Sequence, residues 1–290
     1  MSAEVSQTNP HVFVSDCEGP ISKNDNAYEL TSSFVPDGDR FFALVSKYDD
    51  VLSDVVKKPD YKAGDTLRLI LPFLKAYDAT DQKIKDFSAR NVLLVHGAQN
   101  TLTFVRKLMP SFIVSTSYEQ YIFALCTVTG FPFENTYCTR LNMDKYGIPA
   151  EETKRLNELG KEIAELPMIQ IPKNASSLNK FSQRDQETLE MLDEIFWKEI
   201  PTMESGRMLR EVNPVGGTEK ARAVQDIITK LDCSLDRVMY VGDSITDAPA
   251  LKLVRENGGL AVSFNGNDYS MHESEVAVLS GDTKIGRAHV

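Results

Sequence analysis

Apolar residues in this chain follow two rhythms. Short, continuous runs rich in β-branched and aromatic residues occur at Val12-Phe13-Val14, Phe112-Ile113-Val114, Val238-Met239-Tyr240-Val241 and Leu260 to Phe264. Runs of this length, ending in small or polar residues, predict strands buried on both faces. Weaker strand signals lie at Asn135 to Leu141 and Val276 to Leu279. Between them the period changes to that of a helix. Polar entry residues precede a predicted helix at 100–108, which Pro110 ends. A second runs from Glu119 to Val128, with Gly130 placed to cap it. A third follows Gly216-Gly217-Thr218 and carries Ala221, Val224, Ile228 and Leu231 on one face. Strands alternating with helices predict an α/β fold, a doubly wound, mostly parallel sheet.

Two stretches break this alternation. From residue 21 to 92 there is no strand signal. Leu67, Leu69, Ile70, Leu71 and Leu74 recur at helical spacing, and Pro36-Asp37-Gly38 and Lys62 to Asp65 mark turns. From 149 to 205 the chain is charged and helical again, punctuated by Pro167, Pro172 and Pro201. The expected plan is an α/β core made of residues 1–20, 93–148 and 206–290, with helical insertions at 21–92 and 149–205.

The chain has 290 residues, of which 42% are apolar and 26% charged, as in a globular protein. Its formal charge of −10 disfavours a nucleic-acid partner, which requires clustered Lys and Arg. An anion can still bind where a metal supplies positive charge. Cys17, Cys126, Cys138 and Cys233 are far apart and form no CxxC pair, which fits a reducing compartment. No apolar run approaches the roughly 20 residues that cross a bilayer. Met1 to Pro10 is polar, without the apolar segment of a signal peptide. The expected location is the cytoplasm.

The candidate chemistry gathers where strands end and helices begin. The first strand ends in Asp16-Cys17-Glu18-Gly19-Pro20. In open α/β sheets that end of a strand faces the ligand, and a carboxylate buried there needs a cation or hydrogen bonds. Ser115 and Thr116 end the second strand, Lys220 opens a helix, and Asp243 and Asp247 follow a later strand. Each type suits one part of phosphoryl transfer. Asp16 is a candidate nucleophile. Asp16 and Asp243 are candidate Mg²⁺ ligands. Glu18 can donate a proton to the leaving oxygen and then activate water. Ser115 with Thr116 and Lys220 can bind phosphate, and Asp247 can either orient a metal-bound water or pair with Lys220. Against each stands a plainer role: helix cap, solvated lysine, common turn. Cys17 is expected to face the core, and Asp37-Gly38-Asp39, which follows no strand, is read as a turn.

Taken together, these residues resemble the haloacid dehalogenase superfamily of aspartate-nucleophile phosphohydrolases. Asp16-Cys17-Glu18-Gly19 matches its first motif, Ser115 its second, Lys220 its third and Gly242-Asp243-Ser244-Ile245-Thr246-Asp247 its fourth. The phosphoserine phosphatase-like branch is most similar, because a helical cap there falls between the first two motifs, as 21–92 does here. The resemblance implies an aspartyl-phosphate intermediate, Mg²⁺ held also by the backbone carbonyl of Glu18, and a small phosphorylated metabolite as substrate. By count from Asp16, Asp25 matches a carboxylate that binds the substrate amino group in that branch.

The chain departs from that pattern twice. Glu18 stands where the second carboxylate is usually Asp, which keeps transfer to an alcohol acceptor open. Ser115 and Lys220 are 105 residues apart, so the helices of 149–205 fall outside the resemblance. Carbon–halogen hydrolysis is disfavoured by Glu18 and Asp243. A phosphorylation-dependent signalling module is disfavoured because the acidic pair comes so late in the chain. A catalytically silent phosphate binder remains open, as does the oligomeric state.

Overall fold

The computed structural model describes residues 10–283, so the signal-peptide expectation for Met1 to Pro10 lies outside it except at Pro10. β1 (Val12–Ser15) leads into a helical stretch: α1 (Asn26–Phe34), α2 (Gly38–Asp50), α3 (Thr66–Leu69), α4 (Leu71–Ala76) and α5 (Asp81–Arg90). Then α6 (Ala98–Leu108), β2 (Ser111–Tyr118), α7 (Glu119–Thr129) and β3 (Thr136–Thr139) alternate. A second helical stretch holds α8 (Ala150–Glu165), α9 (Gln183–Glu194) and α10 (Gly206–Glu211). The chain closes with α11 (Thr218–Leu231), β4 (Val238–Gly242), α12 (Ala248–Glu256), β5 (Leu260–Phe264), α13 (Asp268–His272) and β6 (Val276–Val278).

The six strands form one parallel sheet in the order β3-β2-β1-β4-β5-β6. This is the doubly wound α/β arrangement expected from the alternation. Even residues of β1, Val12 and Val14, pack with Ala223, Val224 and Ile227 of α11 and with α12. Odd residues, Phe13 and then Cys17, pack with α6 and α7 on the other face. Cys17 is therefore in the core, as its position between two carboxylates suggested. The chain leaves β1 in one direction through β2 and returns on the other side at β4. Such a switch point opens a crevice beyond the strand ends.

Local expectations needed three adjustments. β2 does not stop at Val114. It runs on to Tyr118 with a register shift against β3, because Tyr118 is fully buried and its hydroxyl donates to the Leu67 carbonyl at 2.5 Å. β3 is shorter than Asn135 to Leu141. The most buried face of α11 is Lys220, Ala223, Val224 and Ile227, with Ala221, Ile228 and Leu231 at its margin. Its inner stripe includes a lysine, which an apolar pattern does not reveal.

The helices of both strand-free stretches share one apolar cluster. Phe41, Leu69 and Phe73 from the first meet Leu156, Leu159, Phe196 and Met208 from the second. Phe73 lies 4.7 Å from Phe41 and 6.0 Å from Phe196, ring centre to ring centre. Each fully buried residue of this kind contributes about 1.5–3 kcal/mol. The helical body sits over the strand ends through one tight loop. Gly64 (φ +94°) has no room for a side chain, since a Cβ there would lie 2.9 Å from Thr116 Cγ2.

Candidate active site

A cavity of about 610 Å³ lies between the strand ends and the helical body. Asp16, Glu18, Thr116 and Asp243 line its floor, and Phe42, Ser46, Asp49 and Asp50 of α2 line its roof.

Asp16 follows β1, and its N–H donates to the Val241 carbonyl at 2.8 Å, which continues the sheet past the last paired residue. Its Oδ1 accepts the Cys17 N–H at 2.7 Å, and its Oδ2 lies 2.6 Å from Lys220 Nζ. Lys220 is fully buried and also reaches Asp247 Oδ1 at 2.8 Å. Asp247 thus pairs with Lys220, one of the two roles open to it from sequence. Its remaining valences are filled as well. Tyr240 donates its hydroxyl to Oδ1 at 2.7 Å, and the N–H groups of Asp243 and Ser244 donate to Oδ2 at 3.1 and 3.2 Å.

These surroundings separate the acids. Burial, then the charges of Asp247 and Asp243, push Asp16 up against the pull of Lys220. Burial alone would raise Asp247 too, but Lys220 and Tyr240 outweigh it and hold Asp247 below the usual carboxylate range. Asp243 is pushed up to about 7, first by burial and then by the Asp247 charge. Lys220 is raised because Asp16 and Asp247 together outweigh its desolvation. Carboxylates crowded like this are made compatible by a cation.

The donor set fits one. Oxygen atoms of Asp16, Asp243 and Asp247 lie within 4.8 Å of one another. Because Asp247 is committed to Lys220, Tyr240 and two amides, the two of these three that line the cavity are Asp16 and Asp243. All-oxygen ligation by one or two carboxylates suits Mg²⁺. Gly19 (φ +89°) lies directly under Asp243, where a Cβ would come within 2.2 Å of Oδ2. The glycine of the first motif therefore makes room for the fourth.

Glu18 points elsewhere. Its Oε1 accepts the N–H of Asn26, the first residue of α1, at 2.8 Å. Burial, then the Asp25 charge, push it up to about 8, opposed by that N–H. Asp25 is the N-cap of α1, accepting the Tyr28 N–H at 3.0 Å, and it also lines the cavity. Ser115 is fully buried, and its hydroxyl accepts the Ser117 N–H at 3.1 Å. Thr116 lines the cavity and donates to the Val215 carbonyl at 3.2 Å.

Two residues in the site were not singled out from sequence. Tyr240 sits mid-strand in β4. A fully buried tyrosine needs a hydroxyl partner, and that rule is the signal that points to it. Asp49 lies in the apolar stripe of α2 with Phe41, Phe42, Val45 and Tyr48. It is buried, its Oδ2 accepts the Gly64 N–H at 3.0 Å, and burial raises it to about 7. A carboxylate inside a hydrophobic stripe was its signature.

With this geometry in hand, comparisons with known proteins agree on the class. The haloacid dehalogenase-like hydrolase family matches residues 75–269, and the chain belongs to that family. A gene product of Archaeoglobus fulgidus has a solved structure that aligns with a TM-score of 0.81 at 27% identity, over 94% of this chain and 80% of that one. A substrate-bound phosphoserine phosphatase aligns at a TM-score of 0.53 and 11% identity, over 97% and 98% of the two chains. A hydrolase of the same superfamily from Salmonella enterica serovar Typhi aligns at 0.55 and 10%, over 94% and 69%. The last two share the fold. No curated protein matches the chain. Among the described residues no helix is long and apolar enough to cross a membrane.

Proposed function

We propose that this hydrolase is a Mg²⁺-dependent phosphatase acting on a small phosphorylated metabolite through an aspartyl-phosphate. The observation that carries the reading is the contact of Asp16 with the buried Lys220 at 2.6 Å, beside the crowded carboxylate of Asp243. A phosphoserine phosphatase of this fold has been captured as a phospho-aspartyl intermediate analogue.

A carboxylate oxygen of Asp16 attacks phosphorus and the P–O bond to the leaving alcohol breaks. Glu18, protonated near neutral pH because burial raises it to about 8, gives its proton to the departing oxygen. The resulting Glu18 carboxylate then accepts a proton from water as that water attacks phosphorus, which frees phosphate and regenerates Asp16. Lys220 neutralises charge on the transferred group while holding Asp16 in line. Thr116 and Ser115, adjacent within β2 just beyond its last pairing with β1, would supply hydroxyl donors to a phosphate oxygen. Asp16, Asp243 and the Glu18 carbonyl would hold Mg²⁺, which supplies charge neutralisation between the nucleophile and the phosphate dianion. Residues 21–92 act as a cap, and 149–205 extend the same cap. Asp25 caps α1 with its carboxylate and lines the cavity, from where it would meet a substrate amino group.

Transfer to an alcohol in place of water is the second reading. The longer arm of Glu18, parked on the first turn of α1, favours it by making activation of the acceptor depend on the cap. Both readings are tested by following release of phosphate from an aryl phosphate with and without Mg²⁺, and by repeating the assay with an alcohol. Mg²⁺-dependent release, abolished in Asp16→Asn, is expected. Equal behaviour of Asp16→Asn and the parent protein on every phosphate ester tried overturns the proposal.

A further inference from the structure

A second concavity, of about 360 Å³, lies on the helical body. It is lined by Lys58, Asp60, Tyr61, Arg68, Trp197 and Arg210, among others. One loop separates it from the catalytic cavity, with Tyr61 facing the groove and Gly64 facing the catalytic side. We infer that this groove is a separate binding site for a phosphate-bearing ligand with a flat ring, of the size of a nucleoside monophosphate.

Charge is the first argument. The chain as a whole carries −10, yet three cations and one carboxylate line this groove. Among the described residues, most cations that form contacts sit on a carboxylate. Lys58 and Arg210 form no ion pair among the described residues. Lys58 Nζ stands 4.7 Å above the Trp197 ring, and Arg210 reaches the Pro201 carbonyl at 3.5 Å. Arg68, in the same wall, is paired with Asp65 at 2.6 Å and donates to the Leu209 and Asp60 carbonyls at 3.2 and 3.5 Å, while its Nε–H is buried without an acceptor. Two cations without a carboxylate partner on one concavity favour an incoming anion with several oxygens.

The ring follows from the aromatic pair. Trp197 meets Tyr61 edge to face, with ring centres 5.9 Å apart. The indole N–H is turned inward, donating to the Tyr48 hydroxyl at 2.7 Å, so ring carbons are what Trp197 offers the groove. Pro59, Pro201 and Leu209 complete an apolar floor beside the cations. A concavity of this size matches a small ligand, with an apolar lining and a few fixed charges. The Lys58 loop is also held in shape at some cost, since Lys57 (φ 51°) and Asp60 (φ 58°) on either side are non-glycine residues in the left-handed region.

Trp197 is the sole tryptophan of the chain, so its fluorescence reports this groove directly. The experiment titrates AMP into the full chain without divalent cation, with adenosine and inorganic phosphate as separate arms, and repeats the AMP titration by calorimetry. Saturable quenching by AMP is expected, with each half-ligand binding about tenfold more weakly or worse. The double variant Lys58→Gln/Arg210→Gln, altered where both side chains reach solvent, should keep the parent's unliganded spectrum and lose about tenfold in AMP affinity. Calorimetry on Trp197→Phe should show AMP binding retained without the optical signal. Absence of saturable binding by both methods up to about 5 mM overturns the site, and so does equal AMP affinity in the double variant. Neither result bears on the catalytic proposal, which is read with Mg²⁺ and an aryl phosphate.

Discussion

The floor and the roof of the catalytic cavity are built by opposite means. The floor is charge held in place. Asp16, Lys220, Asp247 and Tyr240 are almost wholly buried and connected by hydrogen bonds of 2.6 to 2.8 Å. Strand register places Tyr240 and Asp16, and the first turns of α11 and α12 bring Lys220 and Asp247 to them. The roof is an apolar helical body, assembled from two distant stretches by burial that is not directional. It offers the cavity Phe42 together with Ser46, Asp49 and Asp50 of α2. A site divided this way can keep its chemistry while the roof varies, because only the floor demands sub-ångström placement.

Breaking the floor should therefore cost most. Lys220→Met leaves Asp16 and Asp247 buried without their shared cation. A loss of about 3–5 kcal/mol is expected in urea unfolding, along with loss of hydrolysis. A milder result would mean that the acids take up protons when the lysine is gone.

The crowded acids also set a pH dependence. Asp243 at about 7 and Glu18 at about 8 are raised well above their unfolded values near 4. In the metal-free protein these groups keep protons that the unfolded chain releases. Their contribution to stability is present below about pH 4 and is lost as pH rises through about 7 and 8. The metal-free melting temperature should fall across that window, and Mg²⁺ should reverse the fall near pH 8. A metal-free profile flat from pH 5 to 8 would remove the argument that a cation belongs beside Asp16 and Asp243.

The seam between floor and roof should be softer. Gly64→Ala places a Cβ 2.9 Å from Thr116 Cγ2 at a φ of +94°. A cost of about 1–3 kcal/mol is expected, with KM for an aryl phosphate moving more than kcat. The opposite split would mean that the loop acts on the chemistry. Smallest of all is Tyr269→Phe, which removes the 2.7 Å hydrogen bond from α13 to Asp54 at the edge of the roof. At that exposed position about 0.5–1 kcal/mol or less is expected, read by thermal melting.

Much of the floor was legible one residue at a time. Asp16, Glu18, Lys220 and Asp243 stand just past strand ends or at a helix start that periodicity alone predicts, Ser115 lies inside a strand that runs on past it, and the doubly wound sheet follows from the alternation of strand and helix. The roof was legible as helix and no further. That Phe73 and Phe196 would touch could not be read, because an apolar stripe states that it must be covered without stating by what. That Lys220 would be wholly buried at the centre of the inner stripe of α11, and that Asp49 would belong to the site, were obscured for the converse reason: a charge in a stripe is read as its edge.

Local order, the polarity of each strand end and the chemistry available there are properties of neighbours in the chain, and the sequence by itself determined them. The partner of Asp247, the turning of Glu18 towards α1 and the joining of two helical stretches into one roof were decided only by tertiary structure. These depend on which distant groups desolvate one another, and burial energy carries no address.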